Sequence, residues 1–176
     1  MYKLKSLEEF KDVSQRYHSA YHMANLGLVC LSEQIRSTDG FNSADSFVIR
    51  DDKSDSVISE LPYFHLMQGM KKDGPISQVI AHGIINWIYT AWNERYRKLI
   101  AEELGVNIND VVNDIMGDIR IIRNAISHDD DLAEKEISKL KELSWFSPGP
   151  IILKSDDMDR IQIKINSMSV YIRCTK

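Results

Sequence analysis

The sequence predicts an all-α protein, a single-domain bundle of long antiparallel helices closed by a C-terminal helix. Three observations point there. Apolar residues recur every three or four positions over two long stretches, roughly 7–35 and 76–104, as the helical period requires. Each stretch ends in helix-stopping residues: Ser37-Thr38-Asp39-Gly40 after the first and Gly105 after the second. Helices this long in a chain of 176 residues bury their apolar faces most simply by lying antiparallel to one another.

The first helix opens at Ser6-Leu7-Glu8-Glu9, which reads as a capping box with Ser6 as N-cap and Glu9 reaching back. Leu7, Phe10, Val13, Tyr17, Tyr21, Ala24 and Leu28 then carry the apolar stripe, and the helix is expected to run to about Ile35. Residues 38–75 form a variable insertion. Arg50-Asp51-Asp52-Lys53-Ser54-Asp55 reads as a solvated loop, and the apolar residues from Val57 to Met67 suggest a short helix bent at Pro62. The second long helix, Ile76 to Leu104, stacks Ile80, Ile84, Trp87, Ile88, Trp92 and Tyr96. A third, about 109–128, buries Val112, Ile115, Met116, Ile119, Ile122 and Ile126 and turns Asp118, Arg120, Arg123, Asn124 and Ser127 the other way. A fourth, about Leu132 to Leu143, has only a thin apolar stripe among Glu and Lys. Beyond the turn at Trp145–Pro150, strand-like alternation at Ile161, Ile163 and Ile165 competes with helical recurrence at Met158, Ile161, Ile165, Met168 and Ile172. The helix covers more residues and has a cap at Ser155.

Composition excludes several classes. Hydrophobic content of 43% with 27% charged residues describes a globular domain, not a disordered chain. No apolar run reaches bilayer length, and no secretory leader opens the chain, so a cytoplasmic location away from membranes is expected. Cys30 and Cys174 stand alone, as reduced thiols would. A net charge of −4 disfavours a protein that coats nucleic acid, while leaving room for a local basic site. Glycine loops for phosphate and the Gly-x-Ser-x-Gly elbow are missing, so no cofactor and no serine nucleophile is expected.

The chemistry-bearing segment is Arg123-Asn124-Ala125-Ile126-Ser127-His128, followed by Asp129 and Asp130. It sets a permanent cation near a side chain that exchanges protons at neutral pH. A five-residue offset turns about 140° around an ideal helix. Arg123 and His128 therefore converge only if the helix breaks between them or two copies pool their residues. Arg120, Asn124 and His128 instead share one stripe. From spacing alone, the simpler reading is a polar cap over the core.

Asp118-Ile119-Arg120-Ile121-Ile122-Arg123-Asn124-Ala125-Ile126-Ser127-His128 resembles the signature helix of the HEPN superfamily, whose motif is an arginine, a polar residue, a short spacer and a histidine. Trp92-Asn93-Glu94-Arg95-Tyr96 on the preceding helix resembles what these proteins carry there. The ensemble is similar to HEPN proteins of plasmids and mobile elements, most clearly over residues 76–145. The resemblance implies a homodimer with facing signature helices, a metal-independent endoribonuclease acting in toxin or phage-defence biology, and an antitoxin as partner. His128 would assist the 2′-hydroxyl of RNA or protonate the leaving 5′-oxygen. Arg123 would hold the phosphate, and Asn124 would orient the histidine or a phosphate oxygen. The stripe itself adds Arg120 as an auxiliary phosphate contact. The alternative is a non-catalytic dimeric module that binds a nucleotide or a partner protein.

Other candidates read as structure. His18 and His22 have metal-compatible spacing, but no Glu or Cys completes a set in sequence, so no metal is expected. His65 and His82 are isolated. Trp87 and Trp92 are expected in the core, with Tyr89 exposed. Glu94, Arg95 and Arg97 line either a cleft or a solvated face. The charges from Lys135 to Glu142 read as intrahelical pairs.

Overall fold

The computed structural model describes residues 4–38, 45–127 and 136–173, and the described chain is mostly helical. It divides into two compact units: Met1–Tyr21 with Ala81–Lys176, and His22–Ile80.

Helix α1 (Lys5–Ser37) gives its first half to the larger unit. Its opening amides are not satisfied by the expected capping box. The N–H groups of Lys5 and Ser6 donate to the two carboxylate oxygens of Glu103, at 3.0 and 3.1 Å, while Glu9 pairs with Lys5. A carboxylate from elsewhere in the chain thus takes the positive end of the helix. The second long helix is broken into parts: α3 (Pro75–Ala91), a π-helical turn (Trp92–Tyr96) and α4 (Arg97–Leu104), ending at Gly105 with φ 67°. Phe10 of α1 meets both ends of the π turn, edge-on to Trp92 with ring centroids 5.2 Å apart and tilted against Tyr96 at 5.6 Å.

A 3-10 turn (Ile108–Asp110) and strand β3 (Val111–Val112) precede α5 (Asp114–Ser127). Helix α5 therefore starts later than the expected 109. Val111 and Val112 pair antiparallel with Ile172 and Tyr171, and the Asn113 side chain accepts the Met116 N–H at 2.8 Å to open the helix. Ile115, Met116, Ile119 and Ile122 are buried. The fourth expected helix lies partly outside the described residues. Of its second half only Glu136–Ile137 is helical, and turns follow.

Helix α6 (Ser155–Ser167) settles the competition at the C-terminus in favour of helix, with Met158, Ile161 and Ile165 buried. Lys154 takes the N-cap position expected of Ser155, its N–H donating to Asp157 at 3.1 Å. Ser14 of α1 donates to Gln162 of α6 at 2.8 Å, a buried polar link between the chain's two ends. Strand β4 (Tyr171–Ile172) completes the pairing with β3.

The smaller unit contains a hairpin that the sequence reading did not anticipate. Strands β1 (Ser46–Arg50) and β2 (Val57–Pro62) pair antiparallel across an Asp51-centred turn. The Asp51 carboxylate accepts the N–H groups of Lys53 and Ser54 at 2.8 and 2.7 Å, and these bonds hold it below its ordinary pKa. Pro62 does not bend a helix; it precedes α2 (Tyr63–Gly69), where its fixed φ is harmless.

Candidate functional site

Helix α5 divides its residues as its period dictates. Ile115, Ile119 and Ile122 face the core, while Arg120 and Asn124 are exposed and Arg123 is half-buried. Arg120 lies one turn before Arg123 and Asn124, so the three share one face. The helix is unbroken through Ser127. His128 and Asp129–Asp131 lie outside the described residues, so the sequence expectation for the histidine has no counterpart in the described geometry.

Arg123 is held by α3. Its Nε donates to the Asn86 side-chain oxygen at 2.8 Å, and its guanidinium sits 5.3 Å from the centre of the Tyr89 ring. Asn86 and Tyr89 are three apart on α3 and so project together. Both contacts are neutral: they fix the guanidinium without cancelling its charge. Among the described residues no carboxylate pairs with Arg123.

Asp118 departs from expectation. It is buried, on the core side of α5, not on the polar side with Arg120 and Asn124. The N–H groups of Lys141, Glu142 and Leu143 all donate to its Oδ2, at 2.9, 2.7 and 2.9 Å. Asp118 thus anchors the turn at 141–143 to α5, and its charge is directed at backbone dipoles, away from Arg123.

Beside this face lies a cavity of about 610 Å³. Tyr89, Trp92, Asn93 and Arg97 line one side, Asp114, Gly117 and Arg120 another, and Lys141, Tyr171 and Arg173 the third. The π turn consists of the same five residues, Trp92 to Tyr96, that carried the second part of the resemblance. Around this turn Trp92 and Tyr96 are buried in the core while Asn93 and Arg97 line the cavity. Asp114 accepts from Lys141 Nζ at 2.8 Å and from the Tyr171 hydroxyl at 3.0 Å, and the Lys141 bond above all holds its carboxyl below the usual carboxylate range.

The remaining candidates resolve individually. His18 bonds Asp159 at 2.8 Å, a contact made by α6 that no sequence spacing announces. Among the described residues His82 Nε2 has no partner; the ring bonds the Ile151 backbone, and its pKa is lowered chiefly by desolvation. Trp92 is buried as expected, but Trp87 is 55% exposed against Tyr17, a correction to its core assignment. Lys139 pairs with Glu136 within one turn, whereas Lys141 and Glu142 reach outward to Asp114 and Lys164.

Asn86, Asp118 and Tyr171 were not singled out as site residues from sequence. Asp118 carries a readable signal, since it falls three after Ile115 and four before Ile122, on the apolar stripe. Arg97, for which a solvated face is the commoner expectation, lines the cavity instead. No protein-family model, curated protein or solved structure matches this chain.

Proposed function

We propose that the chain is a HEPN-type endoribonuclease that cleaves RNA without metal, through attack of the 2′-hydroxyl on the adjacent phosphate. It works as a cytoplasmic homodimer that pools two signature helices in one cleft, in toxin or phage-defence biology, where an antitoxin would restrain it. The observation that carries this reading is the setting of Arg123. A structural arginine on this helix would be expected to neutralise Asp118. Instead Asp118 is turned inward onto three backbone N–H groups, and Arg123 is steadied by an amide and a ring. A positioned cation with no carboxylate partner among the described residues suits a phosphate whose oxygens gain charge in the transition state.

In this mechanism Arg123 binds the scissile phosphate, Arg120 a neighbouring one, and Asn124 orients a phosphate oxygen or the His128 ring. His128 moves the proton of the 2′-hydroxyl or of the departing 5′-oxygen. Purified protein should cleave a mixed RNA in EDTA. His128→Ala should lower the rate about 10²–10⁴-fold, the usual cost of removing a general acid or base, and Arg123→Ala should lose most of it. Equal cleavage by all three proteins would refute the assignment. Absence of cleavage by the wild type would leave the fold as a non-catalytic nucleotide- or partner-binding module.

A further inference from the structure

A second cluster of chemistry-bearing side chains lies on α1 and α6 rather than on α5. The two helices run antiparallel along a polar seam: Ser14 bonds Gln162, His18 bonds Asp159 and Tyr21 bonds Ser155, at 2.8, 2.8 and 3.4 Å. Within that seam the His18–Asp159 pair joins an imidazole nitrogen to a carboxylate oxygen, and the His18 side chain is only 16% exposed. His22 stands four residues after His18 on the same unbroken helix, so one helical turn sets the two imidazoles side by side. The carboxylate that the sequence spacing of these histidines lacks thus comes from α6. One ligand atom from each of His18, His22 and Asp159 falls within 4.8 Å of the other two.

We infer that His18, His22 and Asp159 bind one divalent transition-metal ion, Zn²⁺ by preference. Imidazole and carboxylate are habitual zinc ligands, at about 2.0–2.2 Å from the ion. Ligand atoms at that radius in a tetrahedron stand roughly 3.4 Å apart. The 2.8 Å His18–Asp159 pair therefore opens only slightly to admit the ion. Three protein ligands leave the fourth position to a water molecule. Mg²⁺ and Ca²⁺ fit poorly, since they take oxygen ligands in sets of about six to eight and two of the three donors here are nitrogens. The ion clamps α6 to α1 and, by binding the folded chain, stabilises it. It takes no part in the proposed RNA cleavage, which needs no metal, so the inference rests on no functional reading.

Calorimetric titration of the metal-stripped full chain with zinc chloride should show one site per chain, and magnesium chloride should show none. Zn²⁺ at a hundredfold excess over Kd should raise the unfolding temperature by about 5 °C or more. Co²⁺ in its place should give the visible absorption of a four-coordinate ion without the near-ultraviolet band that a thiolate ligand adds, which separates this site from the exposed Cys30. His22→Gln leaves the His18–Asp159 hydrogen bond in place, so the metal-free variant should unfold near the wild-type temperature. Its Zn²⁺ affinity should nonetheless fall about 100-fold or more, beyond the usual cost of losing a group that merely supports a ligand. Asp159→Asn should lose affinity in the same way, while His65→Gln, at an exposed imidazole, should lose none. Failure of Zn²⁺ to bind the wild type, or undiminished binding by His22→Gln and Asp159→Asn, would overturn the inference and leave a hydrogen-bonded pair. RNA cleavage in EDTA proceeds with this site empty, so the metal site and the ribonuclease reading fail independently.

Discussion

At the scale of single residues, the decisive side chain is Asp118. Buried and accepting three backbone N–H groups, it holds the 141–143 turn that carries Lys141 to Asp114. Removing it strands the buried Leu143 N–H and the part-buried N–H groups of Lys141 and Glu142, and a buried donor costs about 1–3 kcal/mol when left unmade. Asp118→Ala should therefore destabilise the protein by roughly 3 kcal/mol in urea unfolding, with Asp118→Asn losing less because an acceptor remains. A loss under half a kilocalorie would show that the turn does not depend on it. His82 supplies a pH signature. Desolvation lowers its folded pKa below 6.5, so the unfolded chain binds the proton first as pH falls. The associated stability is complete above 6.5 and declines as pH drops from there toward the lower folded value. His82→Gln should flatten that part of the profile, and an unchanged slope would place the titration elsewhere. That Arg120, Arg123 and Asn124 fall on the polar side of α5 was legible from spacing. The partners of Arg123 were not, because Asn86 lies 37 residues away and helix pairing is not written in local order.

Among the elements, the long helices were legible because their apolar stripes repeat many times. α1 runs from Lys5 to Ser37, close to expectation, whereas α6 stops at Ser167 and Ile172 of its expected stripe lies in β4. The π turn was invisible, since Trp92 and Tyr96 stand four apart as they would in a regular helix, and a single extra residue leaves no mark on the stripe. The β1–β2 hairpin was missed for another reason. Its apolar runs, Phe47-Val48-Ile49 and Val57-Ile58, are short, continuous and largely exposed, without the alternation that identifies a half-buried strand. Helix capping was misassigned because Ser6 and Glu9 satisfy the local pattern while Glu103 makes the bonds. Glu103→Ala should accordingly cost about 0.5–2 kcal/mol, the range for losing an N-cap, and Glu9→Ala much less. Thermal or urea unfolding of the pair decides between the two caps, and a reversed order would restore the capping box.

Across the whole molecule, the bulk charge of −4 conceals the local arrangement: Arg97, Arg120 and Arg173 converge on one cavity through elements far apart in sequence. Net charge reports solubility and long-range steering, not the sign of a site. The helical class was legible from periodicity. The division into two units was not, because α1 carries its apolar stripe through both. The ribonuclease account also makes a claim about assembly. Pooled signature helices require two chains, so sedimentation equilibrium should give twice the 20.3 kDa chain mass at the concentrations that support cleavage. An active monomer would rule out the shared cleft.

The most direct test of the central claim is the chemistry of the cut ends. RNA cleaved in EDTA by the wild-type protein should carry 2′,3′-cyclic phosphate on one product and a 5′-hydroxyl on the other, because the 2′-oxygen displaces the 5′-oxygen. Substrate with 2′-deoxyribose at the cleavage site should remain intact. Products ending in 3′-hydroxyl and 5′-phosphate, or cleavage of the deoxy substrate, would contradict attack by the 2′-hydroxyl and with it the roles given to Arg123 and His128.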